Sequence, residues 1–91
     1  MKTVSSTEIG GFRYINSEVL HDAEDRINRK IDLESAMAVT NTEHEEIGVI
    51  VKLESGEEVE ILSSLIAVEG EHIEVKGGHL IPIAAILRVE I

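Results

Sequence analysis

Two hydrophobic periods divide the chain. From Ile47 onward, Ile47, Val49, Val51 and Leu53 alternate with a side that carries Lys52 and Glu54. That is the pattern of a half-buried strand. Ser55-Gly56 reads as a tight turn, and Val59, Ile61, Ser63, Leu65 and Ala67 continue the inward series. Leu62, Ile66 and Val68 make the opposite side apolar as well. A long strand with this double pattern is expected to bend and serve two sheets of a small barrel. Glu69-Gly70-Glu71 turns the chain, and Ile73 and Val75 resume the alternation. Gly77-Gly78 signals a two-residue hairpin between Lys76 and His79. Pro82 and Ala84-Ala85 predict one short helical turn before a last strand over residues 87–91.

The first half has a different period. Leu20, Ala23, Ile27 and Ile31 are spaced by three and four residues, which predicts a helix packing that stripe on the core. Asn16-Ser17 is a suitable N-cap pair. Acidic Glu18, Asp22, Glu24 and Asp25 lead, and basic Arg26, Arg29 and Lys30 follow, an order that suits the helix dipole. Asp22–Arg26 and Asp25–Arg29 have the i,i+4 spacing of helix ion pairs. Residues 31–42 fit either period, with helix favoured to about Met37, so the segment 17–42 reads as mainly helical. Thr40 to Glu46 then reads as a polar linker. Residues 1–16 read as an N-terminal arm: 1–8 lack periodicity, and 9–15 are extended and lay Phe12 and Tyr14 on the core.

Composition sharpens this picture. Nine Ile, six Val and five Leu fall between Ile47 and Ile91, enough aliphatic material for a core in one domain of 91 residues. The excess favours self-association as a symmetric dimer, with Leu62, Ile66, Val68, Ile81, Ile83 and Ile91 as the surplus apolar positions. The formal charge of −10, with Phe12 and Tyr14 the sole aromatic residues, argues against direct nucleic-acid binding. The absence of cysteine excludes a disulfide scaffold and a thiol nucleophile. The start lacks a signal-peptide core and no run is long enough to span a membrane, so a cytoplasmic protein is expected.

The close Ile81-Pro82-Ile83-x-x-Ile86-x-x-Val89-Glu90-Ile91 resembles that of YolD-like bacterial proteins. Those proteins also place a helix before a barrel-like half, so the resemblance implies an SH3-like or Sm-like small barrel over residues 47–91. The Sm pattern of an Asp followed by Met-Asn has no counterpart here, so RNA binding is not implied. The fold class expected is therefore α+β, an N-terminal helix packed on a small antiparallel SH3-like or Sm-like β-barrel.

Candidate chemistry is sparse. The four histidines lack the His-Glu-x-x-His spacing of a zinc helix, and in the two-residue hairpin register Lys76, rather than His72, lies opposite His79. Ser63-Ser64 sits inside a strand without a nucleophile turn, and Gly77-Gly78 precedes no helix that would cradle phosphate. The expectation is a non-enzymatic chain with no cofactor and no metal. Between Glu43 and Glu74, however, ten acidic residues face the single Lys52, a net charge of −9. A sustained negative potential of this kind either solubilises an aliphatic core or recruits a basic partner. The function expected is a protein-interaction or regulatory module whose partner is another protein, a basic one where the acidic face makes the contact, with Glu54, Glu57, Glu58, Glu60, Leu62 and Ile66 as the candidate contact residues. The alternatives are an acidic nucleic-acid mimic that inhibits a basic nucleic-acid-binding protein, and a small metal- or ligand-binding domain using the histidines.

Overall fold

The alternation over residues 47–91 becomes six strands in a computed structural model, which describes residues 1–43 and 45–91. β2 (Ile47–Lys52) and β3 (Glu58–Ser63) form a hairpin in which Val49 pairs with Ile61 and Val51 with Val59. β7 (Ile86–Glu90) lies antiparallel along the other edge of β2, and β1 (Lys2–Ser5) lies parallel to β3. The resulting order is β1-β3-β2-β7. β4 (Leu65–Glu69), β5 (His72–Val75) and β6 (His79–Pro82) form a second sheet in that order. Val49, Val51, Val59 and Ile61 from the first sheet and Leu65, Ile73, Val75 and Ile81 from the second are fully buried and make one core. Leu53 and Val89, also expected inside, pack against it half-buried.

The sheets stay open, which corrects the SH3-like or Sm-like barrel and the YolD-like resemblance that implied it. The apolar run expected as one bent strand is interrupted at Ser64, where β3 stops and β4 begins. There Ser63 Oγ donates to the Ser64 carbonyl at 2.8 Å. Lys76 N–H donates to Ser63 Oγ and to the Ser64 carbonyl, at 3.2 and 3.3 Å. No ladder joins the two sheets among the described residues, and a three-residue 3₁₀ turn, Ile83–Ala85, carries the chain from β6 to β7. The architecture is α+β with two unclosed sheets.

The Gly77-Gly78 turn also differs from expectation. Val75 pairs with His79, so the loop is Lys76-Gly77-Gly78, with both glycines at positive φ. Lys76 is drawn out of the ladder by its bonds to Ser63 and Ser64.

The helix starts later and runs longer than its pattern indicates. α1 (Ala23–Glu43) spans 21 residues, so residues 31–42 are helical throughout. Asp22 caps it: Oδ1 accepts the Glu24 N–H at 2.9 Å and its carbonyl accepts Arg26 N–H at 3.2 Å. Residues 15–20 cannot join the helix because their backbone is engaged elsewhere. Ile15 N–H donates to Lys52 O at 3.1 Å and Val19 N–H to Ala84 O at 2.9 Å.

α1 packs on β4 and β7, one edge strand from each sheet. It buries Arg29, Leu33, Ala36 and Thr40, whose spacing of four, three and four follows one face. Arg29 Nη1 donates to the Ile86 carbonyl of β7 at 3.0 Å, and Thr40 Oγ1 to the Leu65 carbonyl of β4 at 3.0 Å. An edge strand presents unpaired backbone groups, and the helix answers them with side-chain donors. The expected stripe is on the other side: Ala23, Ile27 and Ile31 are exposed. Nor do the expected ion pairs form, since Arg29 takes Glu18 in place of Asp25 and Arg26 donates to the Leu20 carbonyl.

The first eight residues are not a frayed arm. β1 extends the first sheet, a 3₁₀ turn covers Ser6–Glu8, and Val4, Ser6 and Ile9 are buried. Parallel pairing with β3 gives this polar segment its order.

Candidate functional site

The hairpin tip gathers part of the expected contact set. The turn after β2 holds Glu54, Ser55 and Gly56, with Gly56 at φ 92° and its N–H donating to Leu53 O at 2.8 Å. Glu54 N–H donates to Arg13 O at 2.8 Å, and the residue is exposed. Glu57 and Glu58 are exposed beside it.

The remaining expected residues lie apart. Glu60 sits on the outer side of β3, half-buried, and its Oε1 accepts the Thr3 hydroxyl at 3.1 Å. Its carboxylate folds over Gly48, where an added Cβ would meet Oε2 and displace this flexible side chain. Leu62, 37% exposed, is four residues along β3 from Glu58, roughly 13 Å at strand spacing. Ile66, 49% exposed, lies in the other sheet at a bulge between Leu65 and Ala67. Of the other surplus apolar positions, Ile81 is buried, and Val68 and Ile83 pack on the core. The acidic segment is dispersed as well, with Glu60 in β3 and Glu69, Glu71 and Glu74 in the second sheet and its turn. Glu45 and Glu46 precede β2 while Glu54, Glu57 and Glu58 follow it, about 20 Å away along the strand.

A groove of about 680 Å³ is lined by Tyr14, Glu18, Arg29, His72, Pro82 and Ala84 among others. At its wall Arg29, 7% exposed, holds Glu18 with two bonds, Nη1–Oε2 at 2.7 Å and Nη2–Oε1 at 2.6 Å. The Arg29 side chain depresses the Glu18 carboxyl below its ordinary value, against the opposing effect of partial burial. Burial pushes the Tyr14 phenol up to about 12. Glu18 thus neutralises the one guanidinium in the wall, and the pair ties the 15–20 segment to α1 and β7. Arg29 Nε is buried without a partner, and this is a cost of the clamp geometry.

No three ligating side chains converge on a metal position among the described residues. His21 and His72 are exposed, and His79 is half-buried beside Gly77. His72 pairs with Pro82 and His79 with Val75, so the two histidines stand at opposite ends of β5. The reading of His44 falls outside the described residues. No described helix is long and apolar enough to cross a membrane.

The surface that pattern reading placed in the core is the outer face of α1. Ile27 is 59% exposed and Ile31 54%, one helical turn apart and directly opposite the buried Arg29–Leu33–Ala36 side. Ala23 and Ala38 continue this exposed face along the helix. Two aliphatic side chains presented this way on a rigid element form an unpartnered apolar stripe. The signal that could have identified it is the other row: Arg29, Leu33, Ala36 and Thr40 share a face with a donor near each end, which suits a helix crossing two sheet edges.

No family model, curated protein or solved structure matches the chain. The functional reading therefore rests on the chemistry of these surfaces.

Proposed function

We propose that the chain is a non-enzymatic protein-interaction module whose contact surface is the outward face of α1. The observation that carries this reading is the exposure of Ile27 and Ile31 on a helix whose opposite side is fastened to both sheets. A helix anchored at Arg29 and Thr40 is held in place before any partner arrives, which lowers the ordering cost of binding. The acidic-mimic alternative asks for a continuous array of carboxylates. It has less support, because the acidic groups are dispersed: Glu54, Glu57 and Glu58 lie at the β2–β3 turn, Glu60 within β3, and Glu69, Glu71 and Glu74 in the second sheet and its turn.

The test compares capture of host proteins by three baits: the wild-type chain, an Ile27→Lys/Ile31→Lys variant, and a Glu54→Gln/Glu57→Gln/Glu58→Gln variant. Proteins held by the wild type and by the hairpin variant but lost by the helix variant are the expected result. Equal capture by the helix variant overturns the reading, and selective loss with the hairpin variant favours the acidic tip.

A further inference from the structure

Resting on that reading, we infer that the outward face of α1 accepts a basic amphipathic helix of another protein, and that a second copy of this chain is excluded from it. The face reads Glu24-x-x-Ile27-x-x-x-Ile31-x-x-Glu34. Spacings of three, four and three keep these four residues on one side of a helix. Ile27, Ile31, Glu24 and Glu34 are all exposed, so the apolar pair is bracketed at both ends by carboxylates. Among the described residues no ion pair engages Glu24 or Glu34. Lys30, exposed, lies along one flank, and no ion pair engages it among the described residues.

The bracketing decides the occupant. In an antiparallel pairing of two copies that packs Ile27 against Ile31, Glu24 meets Glu34 of the other copy at both ends. In a parallel pairing Glu24 meets Glu24 and Glu34 meets Glu34. Either arrangement places like charges against each other around an interface of only two aliphatic layers, and the chain's charge of −10 adds to the repulsion. A helix with two aliphatic residues four apart, bracketed by Lys or Arg three residues outside each, satisfies both the apolar centre and the acidic ends. This is helix-on-helix recognition with apolar anchors and a polar rim. A contact of this size belongs to the weak, transient class.

The experiment titrates two synthetic helical peptides into the isotopically labelled full chain and follows the amide resonances. One peptide carries Lys-x-x-Leu-x-x-x-Leu-x-x-Lys, and the other has Glu in place of both Lys. The expected result is saturable shifts over residues 23–38 with the Lys peptide, and affinity about tenfold lower for the Glu peptide. The Glu24→Lys/Glu34→Lys variant reverses that preference. Shifts confined to residues 53–58, or unchanged binding by the Ile27→Ser/Ile31→Ser variant, overturn the inference. So does absence of binding by either peptide, and so does a concentration-dependent dimer that the Ile27→Ser/Ile31→Ser variant abolishes. If host capture still depends on Ile27 and Ile31 while neither peptide binds, the partner chemistry is wrong and the interaction surface stands. If capture ignores those residues, the interaction reading itself fails.

Discussion

In the two sheets the buried side is aliphatic nearly throughout. Val49, Val51, Val59, Ile61, Ile73, Val75 and Ile81 are each at or below 1% exposure. In α1 the buried side is half polar: Arg29 and Thr40 frame Leu33 and Ala36, while Ile27 and Ile31 face solvent. The difference follows from what each element packs against. The sheets face each other, so their inner sides meet only side chains, and burial there selects hydrophobicity. The helix lies on the edges β4 and β7, where backbone carbonyls at Leu65 and Ile86 need donors. A face chosen by edge carbonyls need not be the most apolar one.

This contrast is broken most severely by charging the sheets. Val51→Asp places a carboxylate in a site of zero exposure within the hydrophobic core, and is expected to cost more than about 5 kcal/mol. Loss of the cooperative transition in circular dichroism is the expected reading. The same charge at Ile27 leaves the melt near that of the wild type. A folded Val51→Asp protein would show that the inner side is not sealed.

Leu33 is the apolar centre of the helix's buried side, at 1% exposure. Leu33→Ala is expected to cost about 2–5 kcal/mol in denaturant unfolding. A cost under 1 kcal/mol would mean that α1 is held by Arg29 and Thr40 alone.

Arg29→Ala removes both bonds to Glu18 and the bond to Ile86 O, and is expected to cost about 2–3 kcal/mol at neutral pH. Its pH dependence follows from Glu18. The folded carboxyl titrates below its ordinary value of 4.5, because Arg29 stabilises the charged form. Its contribution is therefore complete above that ordinary value and is lost as pH falls through the lower folded one. The stability gap between wild type and Arg29→Ala should narrow progressively below about pH 4.5. Glu8, lowered by its bonds to Ser5, titrates alike in both proteins and cancels from the gap. A gap independent of pH would assign the clamp's effect to packing.

How much of this was legible depends on the same distinction. The period-two alternation located the inward residues of β2, β3 and β5 because there the pattern and the cause coincide: apolar side chains meeting apolar side chains. The period of α1 identified a helix, but its apolar stripe pointed to the wrong side. Arg29 and Thr40 read as surface residues until the carbonyls they serve are placed by the strand order. Closure of the sheets was misjudged at Ser63-Ser64, because a break in a ladder depends on where Lys76 donates, 12 residues further on. β1 was missed for a related reason. Lys2-Thr3-Val4-Ser5 has one apolar residue, and its order comes from its parallel partner β3. At the candidate site, the Ser55-Gly56 signal places Glu54, Glu57 and Glu58 around a turn, while the spacing of Ile27 and Ile31 gives a stripe without saying which side of the helix is buried.

Thr40→Val tests the other end of the helix with a smaller perturbation. The substitution keeps the volume and removes the 3.0 Å bond to Leu65 O, leaving that carbonyl without its helix donor. A loss of about 1 kcal/mol is expected, with faster amide exchange in the last two turns of α1. An unchanged exchange pattern would mean that the β4 edge is satisfied without the helix.

Ile27→Ala should change stability least, by under about 0.5 kcal/mol. At 59% exposure the side chain has little buried area to lose, and alanine's higher helix propensity offsets part of that loss. A buried isoleucine would cost about 2–5 kcal/mol on the same change, so the two assignments of this face differ several-fold in one denaturation curve. Ile31→Ala, 54% exposed one turn away, should behave alike, because neither side chain contributes to the core. The outcome separates folding from recognition: a face that can be truncated without cost to the monomer keeps its aliphatic residues for something outside it. A cost above 2 kcal/mol would place α1 the other way round on the sheets and return Ile27 to the core.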